Sequence, residues 1–120
     1  MQWPPNWNWY SYRGFDMIVD ASRPRHEQVR WILLLTLNNA RPRGAGAETL
    51  VTVVQRSLYP DATVMEVRRE LGYLESRRLV EVEESPDGTW LARLTRHGTD
   101  IAEYTIACEP GIARPPTKYW

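Results

Sequence analysis

The residue types that catalyse reactions or bind metals are scarce in this chain of 120 residues. One cysteine, Cys108, and two histidines, His26 and His97, cannot supply a dedicated zinc site. His97 lies three residues before Asp100, but this spacing is more typical of a solvated helical turn than of a catalytic triad. No lysine follows the glycines of Gly44-Ala45-Gly46, as a phosphate-binding loop requires. We therefore expect a protein that is not an enzyme and that holds no metal or cofactor.

Arginine is the residue type best suited to chemistry here, because its guanidinium binds phosphates and carboxylates through paired hydrogen bonds. Fourteen of the 15 basic residues are arginine, and 15 acidic residues balance them to a net charge of zero. The charges are unevenly distributed. Residues 21–45 carry five arginines against Glu27, a net +4, whereas residues 81–94 carry Arg93 against four acidic residues, a net −3. A polyanion such as DNA would be attracted to the first region and repelled by the second.

Length and composition favour one globular domain. A chain of this length buries roughly 65% of its unfolded surface, and 42% apolar with 25% charged residues is typical of globular proteins. The longest purely apolar run, Trp31 to Leu35, is far shorter than the ~20 residues that a bilayer-crossing helix needs. The N-terminus lacks the basic flank and apolar stretch of a signal peptide. We expect a cytoplasmic protein with no membrane segment.

Residues 1–20 are predicted to form an irregular arm rich in tryptophan and proline. Trp3, Trp7 and Trp9 follow no helical or alternating period. Two interpretations stay open. The arm is a docking strap for a protein partner, since tryptophan provides a large rigid contact area, or it is an extension upstream of a natural start at Met17.

The first predicted helix is apolar nearly all round. A polar cap and an early proline in Ser22-Arg23-Pro24 favour a helix start there, and the helix runs to about Asn39. One apolar stripe holds Val29, Ile32, Leu33 and Leu37, and the opposite side of the same turns holds Trp31, Leu34 and Leu35. Such a helix must be covered on two sides, by the rest of the domain on one and by the arm, a C-terminal helix or a second copy on the other. Of these we predict a homodimer, with Trp31, Leu34 and Leu35 as interface residues.

Further elements follow from local periodicity. A second helix is predicted over residues 47–59, and Tyr59-Pro60-Asp61 then supplies a stop and a cap for a third helix. Strands over residues 79–83 and 90–94 flank a turn and form a hairpin. Thr95 is predicted to cap a fourth helix that reaches about Tyr104. The predicted domain is therefore residues 21–106, followed by an extended, proline-containing tail over residues 107–120.

Three helices, a two-stranded wing and a closing C-terminal helix in this order resemble a winged helix-turn-helix, an α+β fold. The stretch Glu70–Val80 is similar to the junction between the third helix and the first wing strand in many bacterial regulators. Leu94-Thr95-Arg96-His97-Gly98 is similar to the helix start that follows the second strand. Arg78 stands where related junctions usually have glycine, so a left-handed backbone there would cost about 1 kcal/mol.

A closer resemblance is to the small winged-helix proteins of Mu-like phages and prophages. It is carried by residues 94–100 and by Pro110-Gly111-Ile112-Ala113-Arg114-Pro115-Pro116. The resemblance implies a DNA-binding transcription regulator in the cytoplasm or nucleoid of a bacterial host. The alternative is a module for protein interaction, phage assembly or DNA packaging that does not recognise DNA sequence. The acidic wing and the aromatic arm favour this alternative.

A winged helix that recognises DNA inserts its third helix in the major groove of the double strand. The predicted groove-facing residues lie away from the apolar stripe of that helix: Ala62, Thr63, Met65, Glu66, Arg69 and Tyr73. Because the wing is acidic, phosphate contacts are expected from arginines elsewhere: Arg23, Arg25, Arg41, Arg43 and Arg56. Glu66 and Glu70 of the third helix weigh against DNA as the partner.

Overall fold

The structure, a computed structural model, describes the backbone of residues 12–120 and the side chains of residues 22–120. The elements are α1 (Tyr12–Asn39), β1 (Ala45–Gly46), α2 (Ala47–Ser57), α3 (Val64–Ser76), β2 (Val80–Glu84), β3 (Trp90–Leu94) and α4 (Arg96–Ala102). The strands form one antiparallel sheet in the order β1-β3-β2. In the described part of the chain, no helix is both long and apolar enough to cross a membrane.

Helix α1 is longer than predicted. It begins at Tyr12 rather than at Ser22, and Pro24 lies inside it. An interior proline lacks the N–H donor and crowds the preceding turn, which is why the sequence favoured a helix start at this position, but α1 continues through Pro24. Part of the segment predicted as an irregular arm is therefore helical.

The core lies between α1, α2, α3 and the sheet, with α4 packed against α1. Its largest fully buried apolar side chains are Leu33, Leu34, Leu37, Leu50, Leu71, Leu74, Leu79 and Ile101. Helix α1 contacts α2, α3, α4 and β3. Because it is covered on so many sides, apolar residues occupy most of its circumference.

Two predicted interface residues are instead covered within the chain. Leu34 is fully buried, and Trp31 is 6% exposed. The ring centroid of Trp31 lies 6.1 Å from that of Tyr104 and 6.1 Å from that of Trp120. The prediction that Trp31 and Leu34 face a second copy was wrong, because α4 and the segment that follows it cover this side of α1, one of the alternatives that the sequence left open.

The C-terminal segment is non-helical, but it packs along the domain. Ile112 is buried in the core. The Ala113 N–H donates to the Glu27 carbonyl at 3.1 Å, which pairs the segment with α1. The Arg114 guanidinium donates to the carbonyl oxygens of Ile101 and Ile106 at 3.0 and 2.9 Å. These contacts make the tail a structural part of the domain.

Strand β1 was not predicted, since two residues have no period to detect. Gly44, just before it, has φ +85°, and a Cβ built there would lie 2.2 Å from the Ala92 carbonyl oxygen. Only glycine fits both the left-handed backbone and this close approach. Ala45 then pairs with Ala92 and Gly46 with Leu91, which adds a third strand to the sheet.

Local signals in the sequence predicted most helix ends to within a few residues of the ends in the structure. The N-cap of α3 is Thr63 rather than Asp61, and its hydroxyl accepts from the Glu66 N–H at 3.2 Å. Thr95 caps α4 as predicted, accepting from the Gly98 N–H at 3.0 Å. Arg78 has φ +64°, the left-handed conformation expected of the junction.

Candidate nucleic-acid interface

Helix α3 has a buried side, two flanks and an outer side. Its buried residues are Val67, Glu70, Leu71 and Leu74. Opposite them lie four exposed residues, which we call the outer face of α3: Met65, Arg69, Gly72 and Ser76. Their spacings of four, three and four place them within about 60° of one another around the helix axis.

One flank of α3 is bound to α1 by ion pairs. The Arg25 Nε and Nη2 atoms donate to the two oxygens of Glu66 at 2.7 and 2.8 Å, and Arg25 also pairs with Asp61 at 3.1 Å. The guanidinium holds the pKa of Glu66 and of Asp61 below their ordinary values, because it binds the ionised carboxylates. Arg25 and Glu66 thus bind each other instead of phosphate and base, the roles that the sequence predicted.

Glu70 is turned toward α1 and is 1% exposed. Its carboxylate accepts from the Arg30 Nε at 2.7 Å and is hydrogen-bonded to the His26 Nδ1. The Arg69 Nε lies 3.5 Å from the same group. A buried carboxylate needs such partners. Because they hold Glu70 against α1, its carboxylate does not lie on the outer face.

Tyr73 also lies on the α1 flank rather than on the outer face. The Arg30 guanidinium is 3.5 Å from the centroid of its ring, and the guanidinium of Arg77, just after α3, is 5.6 Å from that centroid. Arg30 donates in addition to the Gly111 carbonyl at 2.9 Å. Tyr73 is therefore half-buried between α1 and the C-terminal segment, which leaves little of it to contact a groove.

The other flank of α3 is bound to the wing, the hairpin of β2 and β3. The Arg68 Nη2 donates to the Gly88 carbonyl at 2.8 Å, and its guanidinium lies 4.8 Å from the ring centroid of Trp90. The Glu75 carboxylate accepts from the Val82 N–H at 3.2 Å. These contacts, which the sequence did not reveal, hold the wing beside the outer face.

The wing itself is acidic. Its exposed carboxylates belong to Glu81, Glu83, Glu84 and Asp87. Arg93 pairs with Glu83 at 3.7 Å. Hydrogen bonds from Thr89 lower the pKa of Asp87, so this carboxyl is ionised at neutral pH. The wing therefore repels a phosphate backbone, as its sequence indicates.

Of the six predicted groove-facing residues, Glu66 and Tyr73 lie on the α1 flank, and the other four divide into three groups. Met65 and Arg69 lie on the outer face, and Arg69 is 61% exposed. Thr63 is exposed, but its hydroxyl serves as the N-cap of α3. Ala62 is 3% exposed and belongs to the core, so its prediction as a groove-facing residue was wrong. Gly72 and Ser76 were missed, although the spacing from Met65 could have indicated both.

The predicted phosphate-binding arginines do not converge on one surface. Arg23 is exposed near Arg25 and pairs with Glu27 at 3.4 Å. Arg41 and Arg43 lie in the turn after α1, which about 20 Å of helix separates from Arg25. Arg56 is exposed in the last turn of α2, just before the turn that leads into α3. Of the five, Arg25 lies at the N-terminus of α3, where Glu66 and Asp61 bind it.

Of the remaining predicted interface residues, Trp3, Trp7 and Trp9 lie outside the described residues. Leu35 is half-buried and lines a surface cavity of about 270 Å³ together with Asn39, Tyr119 and Trp120.

The described side chains include no group of three or more His, Cys, Asp or Glu that could hold a metal ion. Burial raises the pKa of the Cys108 thiol, which disfavours the thiolate that a nucleophile requires.

Solved structures with a similar fold were found at low sequence identity. A candidate DNA-binding protein from Ralstonia eutropha JMP134 superposes with a TM-score of 0.55 at 22% identity, over 66% of this chain and 95% of that one. MepR, a transcription regulator of the Staphylococcus aureus multidrug efflux pump MepA, gives 0.54 at 16% identity, over 78% and 72%. This chain has a winged-helix fold. A protein from Archaeoglobus fulgidus gives 0.51 at 19% identity, over 63% and 78%.

No protein-family model matches this winged-helix chain, and no curated protein matches it significantly. At these identities the structural similarity establishes the fold alone, because one fold supports many functions.

Proposed function

We propose that this winged-helix protein binds double-stranded DNA with α3 in the major groove, as a transcription regulator of phage or prophage type. The observation that carries the proposal is the pairing of two of the three α3 glutamates with α1, while the third, Glu75, lies on the wing flank and accepts from the Val82 N–H. Because Arg25 binds Glu66 and Arg30 binds Glu70, the outer face presents Arg69 as its single charge.

The chemistry of the outer face fits base edges. Arginine binds the O6 and N7 acceptors of guanine, and an apolar side chain such as Met65 contacts the methyl group of thymine. Met65 and Arg69 are one helical turn apart, so they would contact neighbouring base pairs. We assign phosphate contacts to the exposed arginines Arg56 and Arg23, and such contacts position a protein without selecting sequence.

Two of the similar structures support a DNA-binding role, since one is a candidate DNA-binding protein and the other is a transcription regulator. The phage or prophage context is supported by the resemblance over residues 94–100 and 110–116. A homodimer remains part of the proposal, and the apolar side chains of Leu35, Tyr119 and Trp120 form one described surface open to it.

A titration of DNA binding by fluorescence anisotropy tests the proposal. The purified full chain is titrated against a random duplex and against fragments of its source genome at several salt concentrations. The logarithm of the association constant should fall linearly with the logarithm of salt, with a slope of about −0.9 per phosphate contact. Some fragments should bind more tightly than the random duplex. The absence of binding at low salt would overturn the proposal.

A second candidate function is protein binding without recognition of DNA sequence, in phage assembly or DNA packaging. The exposed carboxylates of the wing favour it, because a wing that lies along DNA should be neutral or basic. In that case the chain should capture a partner through residues 1–11, which precede α1. Deletion of these residues should then abolish capture and leave the domain folded, and unchanged capture would contradict the role of this segment.

A further inference from the structure

Gly72 is a glycine in the interior of α3 that the packing of the chain does not explain. It is exposed, and a Cβ built on it meets no atom within 4 Å. Its φ is not positive, so its backbone does not require glycine. Glycine in a helix interior weakens the helix relative to alanine. Nothing in the described fold offsets that cost.

Gly98 shows what a packing reason looks like in the same molecule. It lies in α4, and a Cβ there would be 2.1 Å from the Leu79 carbonyl oxygen. That glycine is required by the close contact of α4 with the start of the wing. Gly72 has no such contact, so the reason for it must lie outside the described chain.

The position of Gly72 indicates what approaches it. It lies three residues after Arg69 and seven after Met65, in the middle of the outer face. Side chains of a helix lean toward its N-terminus, so Arg69 and Met65 extend away from Gly72. Over the second half of the outer face, the only side chain is the short one of Ser76, whose hydroxyl donates to the Tyr73 carbonyl at 2.6 Å. A helix with its side chains nearly fills the ~12 Å width of the major groove, so one missing side chain changes how deeply it can lie.

We propose that Gly72 is the point of closest approach between α3 and DNA, and that it sets the depth of α3 in the groove. Gly72 is then a positioning residue, through which Arg69 and Met65 reach the base edges. This inference rests on the proposed DNA-binding function. It predicts that a side chain at position 72 raises the helix and weakens the base contacts, whereas phosphate contacts from the flanks persist.

The test combines thermal unfolding with DNA binding for the full chain and for Gly72→Ala and Gly72→Leu. The probes are a tight-binding duplex selected from a randomised library and an unselected random duplex. We expect Gly72→Ala to raise Tm by about 2 to 5 °C, because alanine favours the helix. It should weaken binding to the selected duplex about tenfold or more, and Gly72→Leu should weaken it further. Binding to the random duplex and its salt slope should change little.

A matched control is His97→Ala, which also replaces a weaker helix former at an exposed position, but in α4. It should leave both affinities unchanged. If the wild-type chain selects no duplex, the proposed function fails, and this inference fails with it. If the wild type selects a duplex and Gly72→Ala binds that duplex equally well, the inference alone is overturned. A fall in Tm for Gly72→Ala would also overturn it, because it would reveal a structural need for glycine.

Discussion

Arg25 of α1 binds both carboxylate oxygens of Glu66 in α3, from Nε at 2.7 Å and from Nη2 at 2.8 Å. The Arg25 side chain is 29% exposed and that of Glu66 is 11% exposed, so the pair is partly shielded from water. Such a planar, two-bond pair fixes orientation as well as distance. It attaches the N-terminal part of α3 to α1 and thereby helps to set the direction in which the outer face points.

Removal of Arg25 should destabilise the domain. Arg25→Ala leaves the Glu66 carboxylate in a partly buried place without its partner, so we expect the free energy of unfolding to fall by about 1 to 3 kcal/mol. Arg23→Ala is the control, because Arg23 is 79% exposed and pairs with Glu27 at 3.4 Å. It should change the free energy by less than about 0.5 kcal/mol. Urea denaturation of both variants measures the difference, and equal effects would contradict a special role of the Arg25 pair.

Stability should fall in acid, partly through this pair. The pKa of Glu66 is lowered from an ordinary value of 4.5 by its hydrogen bonds with Arg25. A carboxyl whose pKa is lower in the folded state stabilises the fold above its ordinary pKa, and this contribution is lost as the pH falls through the folded pKa. The Tm of the wild type should therefore fall as the pH drops below about 4.5.

The matching variant is Glu66→Gln, which keeps the shape of the side chain and removes its titration. Its Tm should be lower than that of the wild type at pH 7, and the two Tm values should converge in acid. Asp61 and Glu103 also have lowered pKa values, so some acid sensitivity should remain in the variant. Parallel curves for the two proteins from pH 7 to pH 3 would show that Glu66 does not contribute.

Local signals in the sequence account for most of the described elements. The apolar periods of α2 and α3 are strong, and the capping role of Thr95 and the left-handed Arg78 depend on residues close in sequence. The start of α1 and the strand β1 were missed for different reasons. Pro24 favours a helix start by local rules, yet it lies inside a helix that begins at Tyr12, and β1 is only two residues long.

The candidate site was harder to predict, because its ion pairs join residues that are distant in sequence. Arg25 and Glu66 are 41 residues apart, and Arg30 and Glu70 are 40 apart. A helical wheel places Glu66, Arg69 and Tyr73 away from the apolar stripe, but it cannot show that α1 lies against one flank. The contacts of α1 with α3 decide which of these residues face outward, and they depend on tertiary packing.

The aromatic cover of Trp31 should contribute to stability. Trp120 packs against Trp31 at 6.1 Å and against Tyr104 at 5.7 Å between ring centroids. Trp120→Ala should lower the free energy of unfolding by about 1 kcal/mol, because it removes aromatic contacts and exposes Trp31. Tyr119→Ala is the control, since Tyr119 is more exposed and its ring contact is with Trp120. A larger effect of Tyr119→Ala in chemical denaturation would show that the cover of Trp31 is not the source of the stability.

Arg69 is the residue of the outer face whose loss should reduce specific DNA binding most directly. If its guanidinium contacts guanine, Arg69→Ala should weaken binding to a preferred duplex by about 1 to 3 kcal/mol. Arg96→Ala is the matched control, because it removes the same charge from a side chain that is 92% exposed on α4. Any general loss of positive charge should affect both variants alike, whereas loss of a base contact should affect Arg69→Ala alone and reduce its preference over a random duplex. Anisotropy titrations of both variants with both duplexes decide between these outcomes. If Arg69→Ala and Arg96→Ala bind the preferred duplex with equal affinity, base recognition by Arg69 is refuted.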